Sequence, residues 1–322
     1  MTLSRRRFAL LSAGFLTATA VALPLRRARA AEALPTLKVG YQKGGLLALV
    51  RRRGALEAQF ASEGTAVSWV EFASGPPLLE ALNAGAVDIG WTGDAPPIFA
   101  QAAGAALVYI GAAPSNGTGE AIIVKEGSPL TTVAGLKGRK VAMTKGSSAH
   151  NLVVAALEKA GLAFSDITPV YLSPADAAAA FANDSVDAWS IWDPFLALAE
   201  ARQPVRPLTT TAETHAVNTY ILANRGFADA HPAAIHGIIA ALTATADWAN
   251  GHRGEVAAAL SEITGVPIGP ETVTVARAHY AIYPLTEAIV AGQQKTADRF
   301  LKLGLIPKPI AVRDIVWQAP KA

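Results

Sequence analysis

Three short segments of the sequence combine hydroxyl side chains with glycine, and each stands directly before a stretch of helical pattern. The three are Ser74-Gly75, Thr92-Gly93-Asp94, and Ser147-Ser148 with His150 close behind. The start of a helix presents free N–H groups and a partial positive charge, so it suits an anion. Taken singly, each segment can also be an ordinary helix cap. Together they predict a shared anion site.

Further side chains can complete such a site. Gln42 follows the first predicted strand and can donate an amide N–H, whereas Trp192 ends a later strand and can form an apolar wall. The third helix start has no acid in its first turn and is flanked by Lys145. Asp94 and Asp193 stand close before prolines, as capping residues do. Their carboxylates would repel an anion but can meet an amine.

No pattern of a catalytic site is present in the sequence. G-x-S-x-G, H-E-x-x-H and P-loop motifs are missing, and the six histidines lack the spacing of metal ligands. Cysteine is absent, which excludes disulfides, thiolate metal sites, a cysteine nucleophile and a lipidated cysteine. We therefore expect no catalytic residue, no metal and no cofactor.

The elements that must position the candidate side chains alternate between strand and helix. Short β-rich runs alternate with helical patterns as far as a strand at 121–125, and the alternation restarts at residue 140. From residue 231 onward helical patterns dominate. This predicts an α/β fold with mostly parallel sheets in two lobes and a ligand cleft between them. The expected division is 31–125 for lobe one, 126–220 for lobe two, and a helical return to lobe one at 221–322.

Residues 1–30 have the pattern of an export signal. Arg5-Arg6-Arg7-Phe8 precedes an apolar run that is shorter than a membrane span, and Ala28-Arg29-Ala30 offers a cleavage site after Ala30. The arginine pair is typical of a twin-arginine signal. The leader holds six arginines and no acid, so the formal charge of +3 becomes −3 for the remainder. The basic balance therefore does not indicate a nucleic-acid partner.

Several segments, taken together, resemble the aliphatic sulfonate-binding proteins of ABC importers. They are residues 39–44, 69–76, 92–104, 145–152, 187–194 and 315–318. The likeness runs in order from about residue 36 to 318 and implies a type II periplasmic binding fold, in which two α/β lobes close over the ligand. It also implies which residues surround the sulfonate: Gln42, Ser74, Gly75, Thr92, Gly93, Ser148 and His150. Trp192 and Asp193 would shape the side of the tail.

The resemblance implies a periplasmic, monomeric solute-binding protein that has no enzymatic activity. It would capture an organosulfonate anion and pass it to an ABC permease with its ATPase. Taurine, nitrate or an aromatic sulfonate remain alternative ligands of the same fold, because single segments also resemble relatives that bind them. A carbon–sulfur-cleaving enzyme is a further alternative, although such relatives use a cysteine, and a receptor that signals to a sensor kinase is another. The apolar run Gly45–Val50 and the bulky Trp91 depart from the family pattern and leave the tail length open.

Overall fold

Two five-stranded sheets form the centres of two lobes in the computed structural model, which describes residues 34–319. The predicted signal peptide lies outside the described residues. The strands are β1 (Thr36–Gln42), β2 (Ala66–Phe72), β3 (Ile89–Thr92), β4 (Leu107–Pro114), β5 (Glu120–Lys125), β6 (Lys140–Met143), β7 (Thr168–Tyr171), β8 (Ala188–Trp192), β9 (Val205–Thr210) and β10 (Asn218–Asn224). Their order is β2-β1-β3-β10-β4 in the first lobe and β7-β6-β8-β5-β9 in the second.

Helices cover these sheets and also form most of the chain after β10. They are α1 (Gly45–Arg53), α2 (Ala55–Phe60), α3 (Gly75–Asn83), α4 (Ala95–Ala102), α5 (Ser148–Lys159), α6 (Pro174–Ala182), α7 (Phe195–Arg202), α8 (Thr211–Thr214), α9 (Arg225–Ala230), α10 (Pro232–Gly251), α11 (Arg253–Thr264), α12 (Ile268–Arg277) and α13 (Glu287–Lys302). None of the helices between residues 34 and 319 is long and apolar enough to cross a membrane.

The pairing of the strands agrees with the predicted alternation of strand and helix. β1 pairs in parallel with β2 and β3, and β6 pairs in parallel with β7 and β8. The two strands that follow the crossings between the lobes run the other way: β5 is antiparallel to β8 and β9, and β10 is antiparallel to β3 and β4. The predicted two-lobed α/β fold is confirmed, and the carboxyl ends of its parallel strands face the cleft, as they do in open sheets generally.

The chain crosses between the lobes slightly earlier than the sequence division placed it. It leaves the first sheet after Pro114 and enters the second at Glu120, so the strand at 120–125 belongs to the second lobe. It returns between Thr214 and Asn218. The sequence shows that a strand exists near residue 121 but not which strands it pairs with. β9 has no counterpart in the sequence prediction, and it is an edge strand that contains Pro207.

Two apolar cores lie on opposite faces of the first sheet. On one face, Leu46–Val50 of α1 are buried against β1 and against the later helices α10 and α11. On the other face, α3 and α4 pack with Phe300 of α13. The helical C-terminal part therefore packs on the first lobe, as predicted. It also follows that most of the apolar run after Gly45 belongs to the core.

The sequence has one continuous helical pattern from Leu46 to Phe60, and the structure divides it into two helices. Gly54 has a left-handed backbone with φ 60°, and its N–H bonds to Arg51 O, which ends α1 before α2 begins. Glycine favours this capping conformation because it has no Cβ. A helical pattern alone does not reveal such a break, since both halves keep their apolar residues on the same side.

Candidate functional site

A cavity of about 240 Å³ lies between the two lobes, and it is the candidate ligand site. Residues from the starts of α3 and α5, from the turns after β1 and β3, and from the end of α12 line it. Seven of the residues singled out in the sequence are among those lining it: Gln42, Gly75, Gly93, Ser147, Ser148, Trp192 and Asp193. The three segments that stand before helices therefore meet at one cavity.

The start of α5 has the features of an anion seat. Ser147 caps the helix: its hydroxyl accepts the N–H of His150 at 3.4 Å and donates to Thr144 O at 2.7 Å. Ser148 is the first helical residue and lines the cavity, and no acid occurs in the first turn. The first N–H groups of a helix lack partners within the helix. Because Ser147 takes the N–H groups of His150 and Asn151, those of Ser148 and Ala149 are left for a ligand.

Gln42 and Trp91 form part of the wall on the first lobe. Gln42 Nε2 donates to the backbone oxygen of Trp91 at 2.8 Å, and both residues line the cavity. One amide hydrogen of Gln42 is thus committed to the protein, and the second is left for a ligand. The bond also fixes Gln42 against β3.

Four of the predicted site residues do not line the cavity: Ser74, Thr92, Asp94 and His150. Ser74 and Thr92 are buried next to Gly75 and Gly93, and the Thr92 hydroxyl donates to Gly93 O at 3.0 Å. Their glycine neighbours line the cavity in their place, which differs from the expectation that the hydroxyls themselves surround the anion.

Asp94 forms a hydrogen bond across the lobes. Asn151 of α5 donates from Nδ2 to Asp94 Oδ2 at 2.6 Å, and His215 Nε2 lies 3.5 Å from the same oxygen. Asp94 stands at the cap position of α4 but makes no side-chain capping bond. Its carboxylate therefore joins the first lobe to the second, a role that neither the capping nor the ligand interpretation anticipated.

His150 packs into an aromatic cluster away from the cavity. Its ring lies 6.1 Å from Phe99 and 5.2 Å from Phe164, and its Nδ1 accepts the Gly146 N–H at 3.2 Å. The pKa of His150 is lowered to about 4, mainly by burial and also by the charge of Lys145. The imidazole is therefore neutral near pH 7. It supports the turn before α5 from behind, because residues two apart on a helix face nearly opposite sides.

Sequence reasoning missed several lining residues, of which Arg277 and Glu120 are the most consequential. Arg277 ends α12 in the first lobe, and its guanidinium reaches the second lobe. It donates to both oxygens of Glu200 at 2.8 Å and to Asp193 Oδ1 at 3.3 Å. α12 was predicted only as one helix of a tail, so nothing in its pattern indicated a contact with the cavity.

Asp193 lies on the second-lobe side of this bridge. Its Oδ1 also accepts the Ala197 N–H at 3.0 Å in the first turn of α7, in keeping with its predicted place before a helix. Burial raises the pKa of Asp193 to about 6, while Arg277 and the Ala197 N–H oppose the rise. Between residues 34 and 319, no group of three or more histidine or acidic side chains is placed to hold a metal ion.

The fold has two α/β lobes, and the starts of several helices enclose the cavity between them. This arrangement defines the class of two-lobed periplasmic binding proteins. The NMT1/THI5 like family model matches residues 59–255. An aliphatic sulfonates-binding protein of Escherichia coli (strain K12) is 44% identical over 293 residues, covering 90% of this chain and 91% of the relative. The chain belongs to the NMT1/THI5 like family and, within it, to the group of that relative.

Solved structures show the same likeness. The alkanesulfonate-binding protein SsuA from Xanthomonas axonopodis pv. citri, bound to MOPS, superposes with a TM-score of 0.86 at 40% identity, covering 90% of this chain and all of the other. The periplasmic aliphatic sulphonate binding protein SsuA from Escherichia coli has a TM-score of 0.81 at 42% identity, covering 89% and 94%. The family resemblance seen in the sequence is confirmed.

Proposed function

We propose that this chain captures an aliphatic sulfonate between its lobes and delivers it to an ABC importer, without enzymatic activity. The relatives described above are binding proteins, and the chain covers nearly all of their length. The observation that carries the proposal is the meeting of three segments at one interlobe cavity, with Ser148 at the uncharged start of α5.

The chemistry of the cavity suits a permanently ionised guest. A sulfonate keeps its charge at every physiological pH, so hydrogen-bond donors suffice and no proton needs to leave the ligand. Around the start of α5 the donors are neutral: backbone N–H groups and the hydroxyl of Ser148. They are already oriented by the protein, which reduces the ordering that binding requires. We assign the sulfonate head to this end, and we assign the tail to the side of Trp192 and Asp193.

Taurine, nitrate and aromatic sulfonates remain alternative ligands for the same cavity. Asp193 and Arg277 line it, so charged groups of both signs border the ligand. The carboxylate of Asp193 can meet the ammonium group of taurine, which would favour that ligand. A purely apolar tail would instead pack against Trp192 and Trp91.

The decisive measurement is calorimetric titration of the mature chain, starting at Ala31, with ethane- to octanesulfonate, taurine, nitrate and sulfate. The buffer must itself lack a sulfonate group, because a relative binds MOPS. We expect saturable binding of at least one alkanesulfonate that is tighter than binding of nitrate or sulfate. Binding of nitrate with no response to any sulfonate would contradict the ligand assignment.

We further propose that residues 1–30 direct export through the twin-arginine route to the periplasm, where the monomeric mature chain meets its permease and ATPase. The arginine pair beside Phe8 and the site after Ala30 support this proposal. Replacing Arg5-Arg6-Arg7 with lysines should leave the precursor uncleaved in the cytoplasm. Normal processing of that variant would show that the twin-arginine route is not used.

A further inference from the structure

Glu120 is a buried carboxylic acid on the wall of the interlobe cavity. It is the first residue of β5, directly after the segment that crosses between the lobes, and it lines the same cavity as Ser148. Only 9% of its surface is exposed. Neither the sequence pattern nor the proposed function so far gives this side chain a role.

The hydrogen bonds of Glu120 satisfy only one of its two oxygens. Thr211 of α8 donates from its hydroxyl to Glu120 Oε2 at 2.9 Å. Oε1 is buried and has no hydrogen-bond partner among residues 34–319. None of the ion pairs found in that part of the chain includes Glu120. A buried carboxylate without a cation is unfavourable, and so is a buried acceptor left unpaired.

The groups around Glu120 favour its neutral form. The pKa of Glu120 is raised to about 7, mainly by burial and also by the negative charge of Asp94, from the turn between β3 and α4. The hydroxyls of Ser148 and Thr211 oppose this rise, as does His215, which follows α8. At physiological pH Glu120 is therefore an uncharged acid, with an O–H to donate, in a large fraction of the protein molecules.

An anion at the start of α5 makes the distinction between the two forms important. An ionised Glu120 beside the ligand would repel it, and the repulsion is strong where water is excluded. The neutral acid instead adds a donor, and its hydrogen, which stays on Oε1, can form a hydrogen bond with the ligand. Ketosteroid isomerase is the established example of a carboxylic acid kept neutral so that it can donate a hydrogen bond to an oxyanion.

We propose that Glu120, in its neutral form, donates its carboxyl hydrogen to the sulfonate head, so that capture of the anion takes up a proton. The inference rests on the proposed function. In this form Glu120 also selects against amine-bearing guests at this end of the cavity, because a neutral acid offers a donor to an anion and no charge to an ammonium group. The proton comes from solvent and stays on Glu120, and no bond of the ligand changes.

The sign of the pH dependence follows from linkage. A bound anion stabilises the protonated acid, so the pKa of Glu120 in the complex lies above its value of about 7 in the free protein. The complex therefore holds more protons than the free protein between these two values. The part of the affinity that depends on Glu120 should be constant below about pH 6 and fall by up to about tenfold per pH unit above about pH 7.

The test compares the wild-type mature chain with E120Q from about pH 6 to about pH 9, using ethanesulfonate as the probe. Glutamine keeps the shape and a donor but cannot titrate. Calorimetry in Tris, imidazole and phosphate buffers counts the protons taken up, because these buffers differ in ionisation enthalpy. We expect proton uptake and a falling affinity in the wild type above pH 7, and neither in E120Q, which binds at pH 9 more tightly than the wild type.

Controls separate this proposal from its competitors. Glu126→Gln makes the same substitution at an exposed site and should behave as the wild type does. His279 also lines the cavity, so a pH slope that persists unchanged in E120Q would assign the proton to another group and overturn the proposal. Absence of proton uptake in the wild type would also overturn it, whether or not E120Q folds.

Two further outcomes distinguish failure of the proposed function from failure of the role of Glu120 alone. If wild-type protein binds no sulfonate at any pH, the proposed function fails, and the role of Glu120 fails with it. If taurine binds more tightly as pH rises and E120Q abolishes that gain, Glu120 acts as a carboxylate toward an ammonium group. That result contradicts the donor role and leaves the proposed function standing.

Discussion

Gly93 of the first lobe lies directly against Ser148 of the second. A Cβ added at Gly93 would come within 2.7 Å of Ser148 Cβ and 3.0 Å of its Oγ. Both residues line the interlobe cavity, so the approach occurs at the proposed anion seat. The position requires glycine because the two lobes touch there, and not because of its backbone conformation.

We predict that Gly93→Ala weakens sulfonate binding by about ten- to a hundredfold, since overpacking costs about 1–3 kcal/mol and is incurred when the lobes meet. Calorimetric titration of the two proteins measures it. Gly292→Ala is the matched control, because no atom lies within 4 Å of a Cβ at this position in α13. The control should bind as the wild type does. If Gly93→Ala bound sulfonate with the affinity of the wild type, the close approach of Gly93 to Ser148 would not be needed to hold the ligand.

Ser148→Ala removes the hydroxyl at the start of α5 and should weaken sulfonate binding by about 1–3 kcal/mol, because the bond it donates is to a charged group. The melting temperature without ligand should change little. Ser173→Ala provides the opposite pattern: Ser173 caps α6 and accepts the Asp176 N–H at 3.3 Å, away from the cavity lining. It should lose about 1 kcal/mol of stability and keep its affinity. An unchanged affinity in Ser148→Ala would remove that hydroxyl from the site.

Arg277 bridges the lobes, so Arg277→Met should favour their separation and weaken binding. Its contacts with Glu200 and Asp193 are partly exposed, which limits the expected loss to about 1–2 kcal/mol. Titration calorimetry again reports the change. Arg52→Met is the control, because it breaks a pair with Glu262, at 2.8 Å, that lies within the first lobe.

Glu200→Gln separates two roles for Arg277. Glu200 does not line the cavity but holds the guanidinium from the second lobe. If Arg277 acts by holding the lobes together, Glu200→Gln should weaken binding in the same direction. If Arg277 acts by its charge on the anion, the same variant should leave binding unchanged or strengthen it, and the bridging role would be wrong.

The proposed anion end of the site could be located from the sequence, because loops at the carboxyl ends of parallel strands share one edge and each can be recognised locally. Gly75, Gly93 and Ser148 follow from that rule. His150 shows its limit: a segment can be located correctly while the side chain two positions along the helix faces the protein interior.

Two other lining residues could not be predicted from the sequence, for a different reason. Glu120 and Arg277 lie 157 positions apart, on a crossing strand and on a tail helix, and only long-range packing brings both to one cavity. No local motif marks either residue. Gly54 illustrates a smaller gap, since the apolar pattern of α1 and α2 continues through a turn that only the backbone angle reveals.

Glu271 of α12 provides a test of buried charge that does not involve ligand. Its side chain is fully buried, Thr264 donates to Oε1 at 2.9 Å, and Oε2 has no partner among residues 34–319. Burial raises the pKa of Glu271 to about 7, Thr264 opposes the rise, and the charge of Asp193 adds to it. The folded protein therefore keeps a proton that the unfolded chain loses near about pH 4, so the contribution of Glu271 to stability falls as pH rises from about 4 to about 7.

Glu271→Gln removes this titration, and its melting temperature relative to wild type should be higher at about pH 8 than at about pH 5. Thermal unfolding followed by circular dichroism in ligand-free protein measures the difference. Glu63→Gln, on the exposed turn after α2, makes the same substitution without burial and should show the same offset at both pH values. If Glu271→Gln gave a constant offset as well, the folded protein must accommodate an ionised Glu271. That outcome would mean that burial does not control the protonation of Glu271. Burial makes an ionised carboxylate without a nearby cation unfavourable, so it predicts an offset that changes with pH.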